Sequence, residues 1–421
     1  MSVASTGALP SVNDGLSRWL QWLESIHPME IDLGLDRVRR VAARMQLLIL
    51  NAPLILVAGT NGKGSTVALL EQIYLNAGYS VGAYTSPHIH KFNERIRIDG
   101  YEVSDEAIIE ALIAVEAQRQ DDSLTYFEYT TLAAMSIFRQ RKCAVLLLEV
   151  GLGGRLDACN LWDADVSIVT SIALDHAAFL GNDRAVVAIE KAAIGRFGMP
   201  LIVGDTDPPE SLFGLVEERG MLLTHIGGWP VRQLPQLRLA GEHQQRNAAC
   251  ALAAIEALAD RLPVSATATR AALDTVVVTG RFDVLEYKGV TVVLDVAHNP
   301  AAAEALASTW QAEFGKRAAH AVFAVLADKD IERVIAPLIP HVRHWYCVQL
   351  DVPRATPAAQ LAGLLNTRIG NDSAVTSSDS VASGFRLAHK HALQDGLPVL
   401  VCGSFHVLEA LPSAVFESNR E

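Results

Sequence analysis

The sequence predicts an α/β protein with two sheets: a large, mostly parallel sheet covered by helices on both faces, then a smaller α/β domain. Three observations lead there. Apolar runs of strand length alternate with longer helical patterns, as "PLILVAG" leads into "STVALLEQIYLNAG" and "CAVLLLEVG", "DVSIVTSIAL" and "MPLIVG" follow. Short apolar strands separated by helices read as a parallel sheet buried on both sides. The alternation restarts at "VTVVLDVAHNPAAAEALASTW" and continues through "HAVFAVLADKD", "HWYCVQL" and "PVLVCGSFHVLEAL". Finally, 421 residues, half of them hydrophobic, are enough for two or more cores.

Between the two alternating regions the texture changes. Residues 222–240, within "LLTHIGGWPVRQLPQLRLAG", carry Gly, Pro and short alternations that predict an antiparallel hairpin at the sheet's edge. "EHQQRNAACALAAIEAL" and "TATRAALDTV" then read as two helices. A boundary falls near Gly280–Asp283, giving domains 1–282 and 283–421.

Composition narrows the function. The five cysteines form no C-x-x-C pair, which predicts reduced, mostly buried thiols rather than a disulfide framework or zinc knuckle. The most apolar window, "LLILNAPLILVAG", is broken by Asn51 and Pro53 and is too short for a bilayer. No signal peptide is evident at the N-terminus. A formal charge of −12 disfavours nucleic acid and anionic membrane as partners. The expectation is a soluble, cytoplasmic protein in which any anionic ligand meets local amides, cations and metal ions.

The strongest local signal is "VAGTNGKGST". A strand ends at Ala58, a glycine-rich turn holds Lys63, and Ser65 opens a helix with Val67, Leu70, Ile73, Tyr74 and Ala77 on one face. Backbone amides and the helix N-terminus favour a phosphate, Lys63 can meet the β/γ-phosphates, and a hydroxyl can face Mg²⁺. The motif departs from G-x-x-x-x-G-K-[ST] at Val57, which stands where the first glycine belongs, and Gly64 follows the lysine. An ordinary strand–helix turn is the competing reading.

Glu149 ends the strand "VLLLEV", where a parallel sheet delivers ligand-binding groups at its carboxyl edge. One carboxylate and a hydroxyl suffice for Mg²⁺ that also holds phosphate and water. The "GLGGRL" that follows lacks the third glycine of a dinucleotide fingerprint, since Leu156 stands there. It leads into the polar "DACNLWDADV", so a flexible, substrate-covering loop carrying Arg155 and Asp157 is expected. Asp175 and His176 follow another strand, and Glu190 and Lys191 lie in a helix; alone, such residues are usually structural. His88 and His90 lack a nearby third ligand for zinc. "LDVAHNP" repeats the strand–loop–helix logic with Asp295, His298 and Asn299, suggesting a site assembled between domains.

In order along the chain, "GTNGKGS", "TSPHI…FNERI", "LEVGLGGRLDACN", "ALDH…LG", "EKAAI", "LAGEHQQRNAA", "GRF" and "LDVAHNP" resemble the blocks of folylpolyglutamate synthases. The likeness is closest to the bacterial bifunctional dihydrofolate synthase/folylpolyglutamate synthases of the Mur ligase superfamily. It runs from "IDLGLDRV" to "LVCGSFH". It implies a P-loop domain followed by a Rossmann-like glutamate-ligase domain, and an ATP-dependent amide ligase. Such an enzyme joins L-glutamate to dihydropteroate and adds glutamates to reduced folates through an acyl phosphate.

The resemblance also implies roles for particular residues. Thr60, Asn61, Gly62, Lys63 and Gly64 would hold the ATP phosphates, with Ser65 adding a hydroxyl. Ser86 and Glu149 would bind one Mg²⁺, and Glu149 and His176 would border a second. Lys191 matches a lysine that is carbamylated into a metal-binding anion. Asn247 would contact adenine, while Arg281 and Asp295 would reach ATP. Glu30, Ile31, Asp32 and Leu33, with Thr125, Tyr126, Phe127 and Glu128 and with Leu156, Asp157 and Ala158, would form the pterin pocket. His298, Ser404 and His406 are candidates for the glutamate site. A monomer is implied. The chain departs from the family pattern in "TGR" for "PGR", "DACN" for "DATN" and "EKAAI" for "EKAGI", and Ala177 stands where threonine usually follows the histidine. Another Mur-type amino-acid ligase and a P-loop ATP binder without ligase activity are the rival readings.

Overall fold

The structure, a computed structural model, describes residues 8–29, 31–228, 236–369 and 374–417. The chain divides into two compact units, Met1–Gln236 with Arg246–Thr275, and Leu237–Gln245 with Val276–Glu421. Both are α/β, each with a mostly parallel sheet, as the sequence predicts.

The first unit's strands are β1 Leu54–Ala58, β2 Val81–Tyr84, β3 Ile96–Ile98, β4 Tyr101–Glu102, β5 Val145–Glu149, β6 Val166–Val169, β7 Pro200–Val203 and β8 Leu222–His225. They pair in the order β4-β3-β2-β5-β1-β6-β7-β8. The central strands β1 and β5 are buried at every residue, which is why they read as unbroken apolar runs instead of alternations. Their parallel register sets Val57 beside Glu149, so both strands end at the same edge. The turn after β1 and the carboxylate of β5 therefore meet there.

The hairpin expected around residues 222–240 is corrected. β8 does lie at the sheet's edge, but it pairs parallel to β7, with Leu223 opposite Leu201. Helix Glu210–Arg219 separates the two strands and returns the chain in the same direction. Residues 229–235 of that segment lie outside the described residues. The antiparallel pairing sits at the other edge, where Asp99 and Gly100 both have positive φ, 54° and 81°, between β3 and β4. Such a pair of left-handed residues suits a two-residue hairpin turn.

Helix Lys63–Asn76 is also buried more widely than a one-faced helix. Ser65, Thr66, Leu69 and Glu71 are buried along with Val67, Leu70, Ile73 and Tyr74. The helix packs against β1, β2 and β5 and against helix Ala266–Thr275. Glu71 is tolerated there because Arg97 pairs with it, Nη2 to Oε2 at 2.7 Å.

The second unit's strands are β9 Asp283–Tyr287, β10 Val290–Leu294, β11 Ala319–Phe323, β12 Val342–Val348, β13 Ala374–Ser378 and β14 Val399–Cys402. Their order is β13-β12-β11-β14-β10-β9, with β9 alone antiparallel. Asn299 caps helix Pro300–Phe314 through Oδ1, which accepts from Ala302 N at 2.9 Å. No described helix is long and apolar enough to cross a membrane. All five cysteines are buried free thiols.

Three histidines surround Tyr346 in this unit. His344 stacks on its ring at 4.3 Å, His391 Nδ1 lies 2.5 Å from its hydroxyl, and His320 lies across the ring at 6.1 Å. Burial, with help from His320 and His391, pushes His344 from its ordinary 6.5 down to about 4. The unfolded chain therefore binds more protons between those values, and stability rises with pH there. The prediction is that the urea midpoint of the intact chain falls as pH drops from 6.5 toward 4 and His344 takes up its proton. His344→Gln should flatten that fall; an unchanged slope would contradict the assignment.

Candidate active site

Residues Gly59 to Lys63 leave β1 in a turn tied down by the chain leaving β6. Thr60 N donates to Ser171 O at 2.8 Å and Thr60 Oγ1 to Ala173 O at 2.9 Å. Asn61 N donates to Ser171 Oγ at 3.0 Å, while Thr170 Oγ1 donates to Asn61 O at 2.7 Å. Gly59 compensates for the glycine missing at Val57: a Cβ there would lie 1.9 Å from Thr170 Oγ1. At Gly62, with φ of 90°, a Cβ would lie 2.4 Å from Asn247 Oδ1, so the expected adenine residue packs directly on the turn. Helix Lys63–Asn76 starts at once, and Lys63 Nζ folds back to donate to Gly59 O and Thr60 O at 3.1 and 3.3 Å. Amides at a helix start plus an ammonium make an anion site.

The carboxylate of Glu149 reaches the start of that helix. Glu149 Oε2 accepts from Ser86 N at 3.2 Å, and a Cβ on Gly64 would lie 3.6 Å from the same oxygen. Ser65 Oγ is buried without a hydrogen-bond partner. A buried hydroxyl without a partner, one residue along from the Gly64 that the carboxylate approaches, fits a small divalent cation that completes its shell with phosphate and water. His176 is exposed, in a left-handed conformation ahead of the short helix Ala177–Leu180.

Lys191 is buried on helix Arg184–Ala192. Burial first, and the charge of Lys63 second, push its ammonium down to about 7, against the pull of Asp175, Asp157 and Glu190. At neutral pH a substantial fraction is thus free amine, a nucleophile.

The "GLGG" turn is packed, not loose. Gly154 lies on that same helix, where a Cβ would meet Glu190 O at 2.5 Å and Lys191 Cα at 3.1 Å. Arg155 N donates to Glu190 O at 2.9 Å, and its Nε pairs with Glu190 Oε1 at 2.8 Å. Gly151 lies against the Phe127 ring, 2.7 Å from a built Cβ. Asp157 organises the turn from inside, accepting from Gly151 N, Leu152 N and Cys159 N at 3.0, 2.9 and 2.9 Å. Burial still pushes its carboxyl up to about 6. Asp157 and Ala158 are buried, while Leu156 is half-buried. The segment after the turn, expected to be merely polar, forms a buried 3-10 turn over Ala158–Leu161.

The other expected pocket segments meet through a residue the sequence reading missed. Arg37 Nε donates to Glu128 at 2.9 and 2.8 Å, and Arg37 also pairs with Asp32. Thr125 and Glu128 form a capping box on helix Tyr126–Arg141, with Thr125 N donating to Glu128 Oε2 at 2.8 Å. Both are buried, so their contribution is to the helix start, while Tyr126 and Phe127 are half-buried against the core. Ile31 and Leu33 are half-buried beside Asp32; Glu30 lies outside the described residues. Arg184 and Asp205 were missed as well. Arg184 joins Ile172 O and Asp205 Oδ1, both at 2.7 Å, and so ties the Lys191 helix to the loop after β6. The T-x-x-E spacing announces the capping box; nothing in the sequence distinguishes Arg37 or Arg184 from surface arginines.

In the second unit, Asp295 follows β10 and accepts from Phe282 N and Ala297 N at 2.9 and 2.8 Å. Burial raises its carboxyl above the usual range against the pull of Arg281. The Arg281 guanidinium lies 5.3 Å over the Phe405 ring, and His298 lies 6.0 Å from the same ring. Ser404 caps the short helix Phe405–Glu409, and His406 Nδ1 pairs with Glu409 at 2.9 Å. Arg281, Asp295 and His298 thus gather near the carboxyl ends of β10 and β14, with Ser404 and His406 opening the neighbouring helix.

Comparison with known proteins gives a consistent set of relatives. The Mur ligase, glutamate ligase domain family matches residues 280–405. The dihydrofolate synthase/folylpolyglutamate synthase of Escherichia coli strain K12 is 42% identical over 416 residues, 95% of each chain. The solved structure of E. coli FolC in complex with DHPP and ADP aligns with a TM-score of 0.85 at 40% identity, over 95% of this chain and 97% of that one. A bifunctional folylpolyglutamate synthase/dihydrofolate synthase with Mn, AMPPNP and L-glutamate bound aligns at 0.82 and 39%, over 95% and 98%.

The packing of the glycine turn makes a direct prediction. Gly154→Ala should destabilise the protein by about 1–3 kcal/mol, because the obstruction is backbone that cannot swing away. Gly151→Ala, facing only the Phe127 side chain, should cost less. A wild-type urea midpoint for Gly154→Ala would show that the turn is not held against the Lys191 helix.

Proposed function

The chain belongs to the dihydrofolate synthase/folylpolyglutamate synthase family, ATP-dependent glutamate ligases of folate metabolism, and from that premise we propose what each part of the site does. The reaction joins the amine of L-glutamate to the carboxylate of dihydropteroate and lengthens the glutamyl tail of reduced folates. The acceptor carboxylate attacks the γ-phosphorus of ATP, giving an acyl phosphate and ADP. The glutamate amine then adds to the acyl carbon, and phosphate leaves. Positioning and charge neutralisation dominate phosphoryl transfer, and the placement of the Lys63 turn, the unpartnered Ser65 hydroxyl and the Glu149 carboxylate at one helix start carries this reading.

Thr60 to Gly64 cradle the phosphates with backbone amides, and Lys63 swings from its own loop onto the β/γ-oxygens. Ser65, Ser86 and Glu149 hold one Mg²⁺, which supplies charge neutralisation when bound. Glu149, His176 and Lys191 serve a second. Lys191 does so as a carbamate: its neutral amine adds CO₂ and releases one proton, replacing a cation with hard oxygens. Asn247, Arg281 and Asp295 serve ATP; His298, Ser404 and His406 serve glutamate. The segments carrying Asp32, Tyr126, Phe127, Leu156 and Ala158 enclose the pterin, with Arg37 and Asp157 fixing their shape. The domain division 1–282 and 283–421 separates ATP-binding from glutamate-ligase functions, and the protein acts as a cytoplasmic monomer.

Mass spectrometry of a reaction of dihydropteroate, ATP, Mg²⁺ and glutamate tests the activity. One added glutamyl residue is expected, and ADP release without that product would overturn the ligase assignment. Lys63→Ala should lower turnover at saturating ATP by at least about a hundredfold. Wild-type turnover in that variant would remove the P-loop role.

A further inference from the structure

The segment from Ser86 through β3 pairs its charges with one exception. Lys91 pairs with Glu102 at 2.6 Å and Arg97 with Glu71 at 2.7 Å. Glu94 accepts from the backbone of Ile89, His90 and Lys91 at 2.7, 2.7 and 2.9 Å. Arg95 has no carboxylate partner among the described residues. Its Nε donates to His88 Nδ1 at 2.8 Å, which fixes the plane of the guanidinium. Its Cζ lies 5.5 Å from the Phe92 ring centre and 5.6 Å from that of Tyr126. The two rings pack edge to face at 6.2 Å, and the guanidinium lies against both. Half-buried, it keeps both terminal NH₂ groups without an acid in a protein of net charge −12.

The position narrows the ligand. Arg95 shares a segment with Ser86, whose amide touches Glu149, and it lies over Tyr126 at the start of the helix that also carries Phe127. An acceptor reaching from the pterin pocket to the phosphates must carry its carboxylate between these points. A planar guanidinium with two NH₂ groups free matches a carboxylate fork to fork. We propose that Arg95 binds a carboxylate of the acceptor substrate, a role that rests on the ligase reading above.

Steady-state kinetics of Arg95→Gln and Arg95→Lys, on wild-type-active enzyme, test it with two acceptors. Dihydropteroate has one carboxylate, the reacting one, whereas a tetrahydrofolate also carries an α-carboxylate on its glutamyl tail. Arg95→Gln should raise the acceptor KM roughly ten- to hundredfold with the KM for ATP unchanged, and Arg95→Lys should recover part of the loss. Loss with both acceptors assigns the reacting carboxylate; loss with the folate alone assigns the α-carboxylate. Binding adds a readout that a structural role would not move. Wild type should prefer dihydropteroate, or the folate, over the amide in which the assigned carboxylate is replaced, and Arg95→Gln should lose that preference. An unchanged acceptor KM, or a preference retained in the variant, would overturn the proposal. Failure of the wild type to ligate glutamate would instead overturn the reading of the reaction.

Discussion

Lys63 and Lys191 are brought together at the carboxyl edge of the first sheet, and neither burial nor charge favours that. Two ammonium groups sharing a poorly solvated site repel each other, and the cost falls on the more buried one, Lys191. A polyanion or a change of charge on Lys191 relieves it. Much of the first unit serves to hold this arrangement. β1 and β5 end level with each other, so the turn bearing Lys63 meets Glu149. β6 leads through Thr170 and Ser171 into the same turn, and Arg184 and Asp205 fasten the helix of Lys191 behind it.

The glycine-rich turn after β5 belongs to the same construction. Its glycines let the chain lie on the backbone of Glu190 and Lys191 on one side and on Phe127 on the other. Asp157, which satisfies three amides inside the turn, keeps that shape. The segment named for the pterin and the helix of Lys191 therefore touch, and a change in either is felt by the other through packed backbone.

The central strands, the helix starts and the glycine turn ahead of Lys63 were legible because each is encoded locally. Apolar runs with no polar interruption mark β1 and β5, and the order of glycine, lysine and hydroxyl marks the turn. The direction of β8 was not legible: its Gly- and Pro-rich neighbourhood suggests a hairpin, but the helix before it decides the pairing. Arg37, Arg184 and Asp205 were invisible for a similar reason, since their partners lie far away in sequence. Asp157 and Glu128 stood out in the sequence as candidates, but their hydrogen-bonding role was not legible. Asp157 is taken up by backbone amides within its turn, and Glu128 by the amide at its cap and by Arg37.

Whether the crowding of the two lysines is resolved by carbamylation can be read directly. In enzyme equilibrated with ¹³C-labelled bicarbonate at pH 8, carbon NMR should show a carbamate resonance that is absent in Lys191→Ala. The resonance should weaken as pH falls below about 7, where the amine is protonated. No resonance in the wild type, with full activity in CO₂-depleted buffer, would contradict the account.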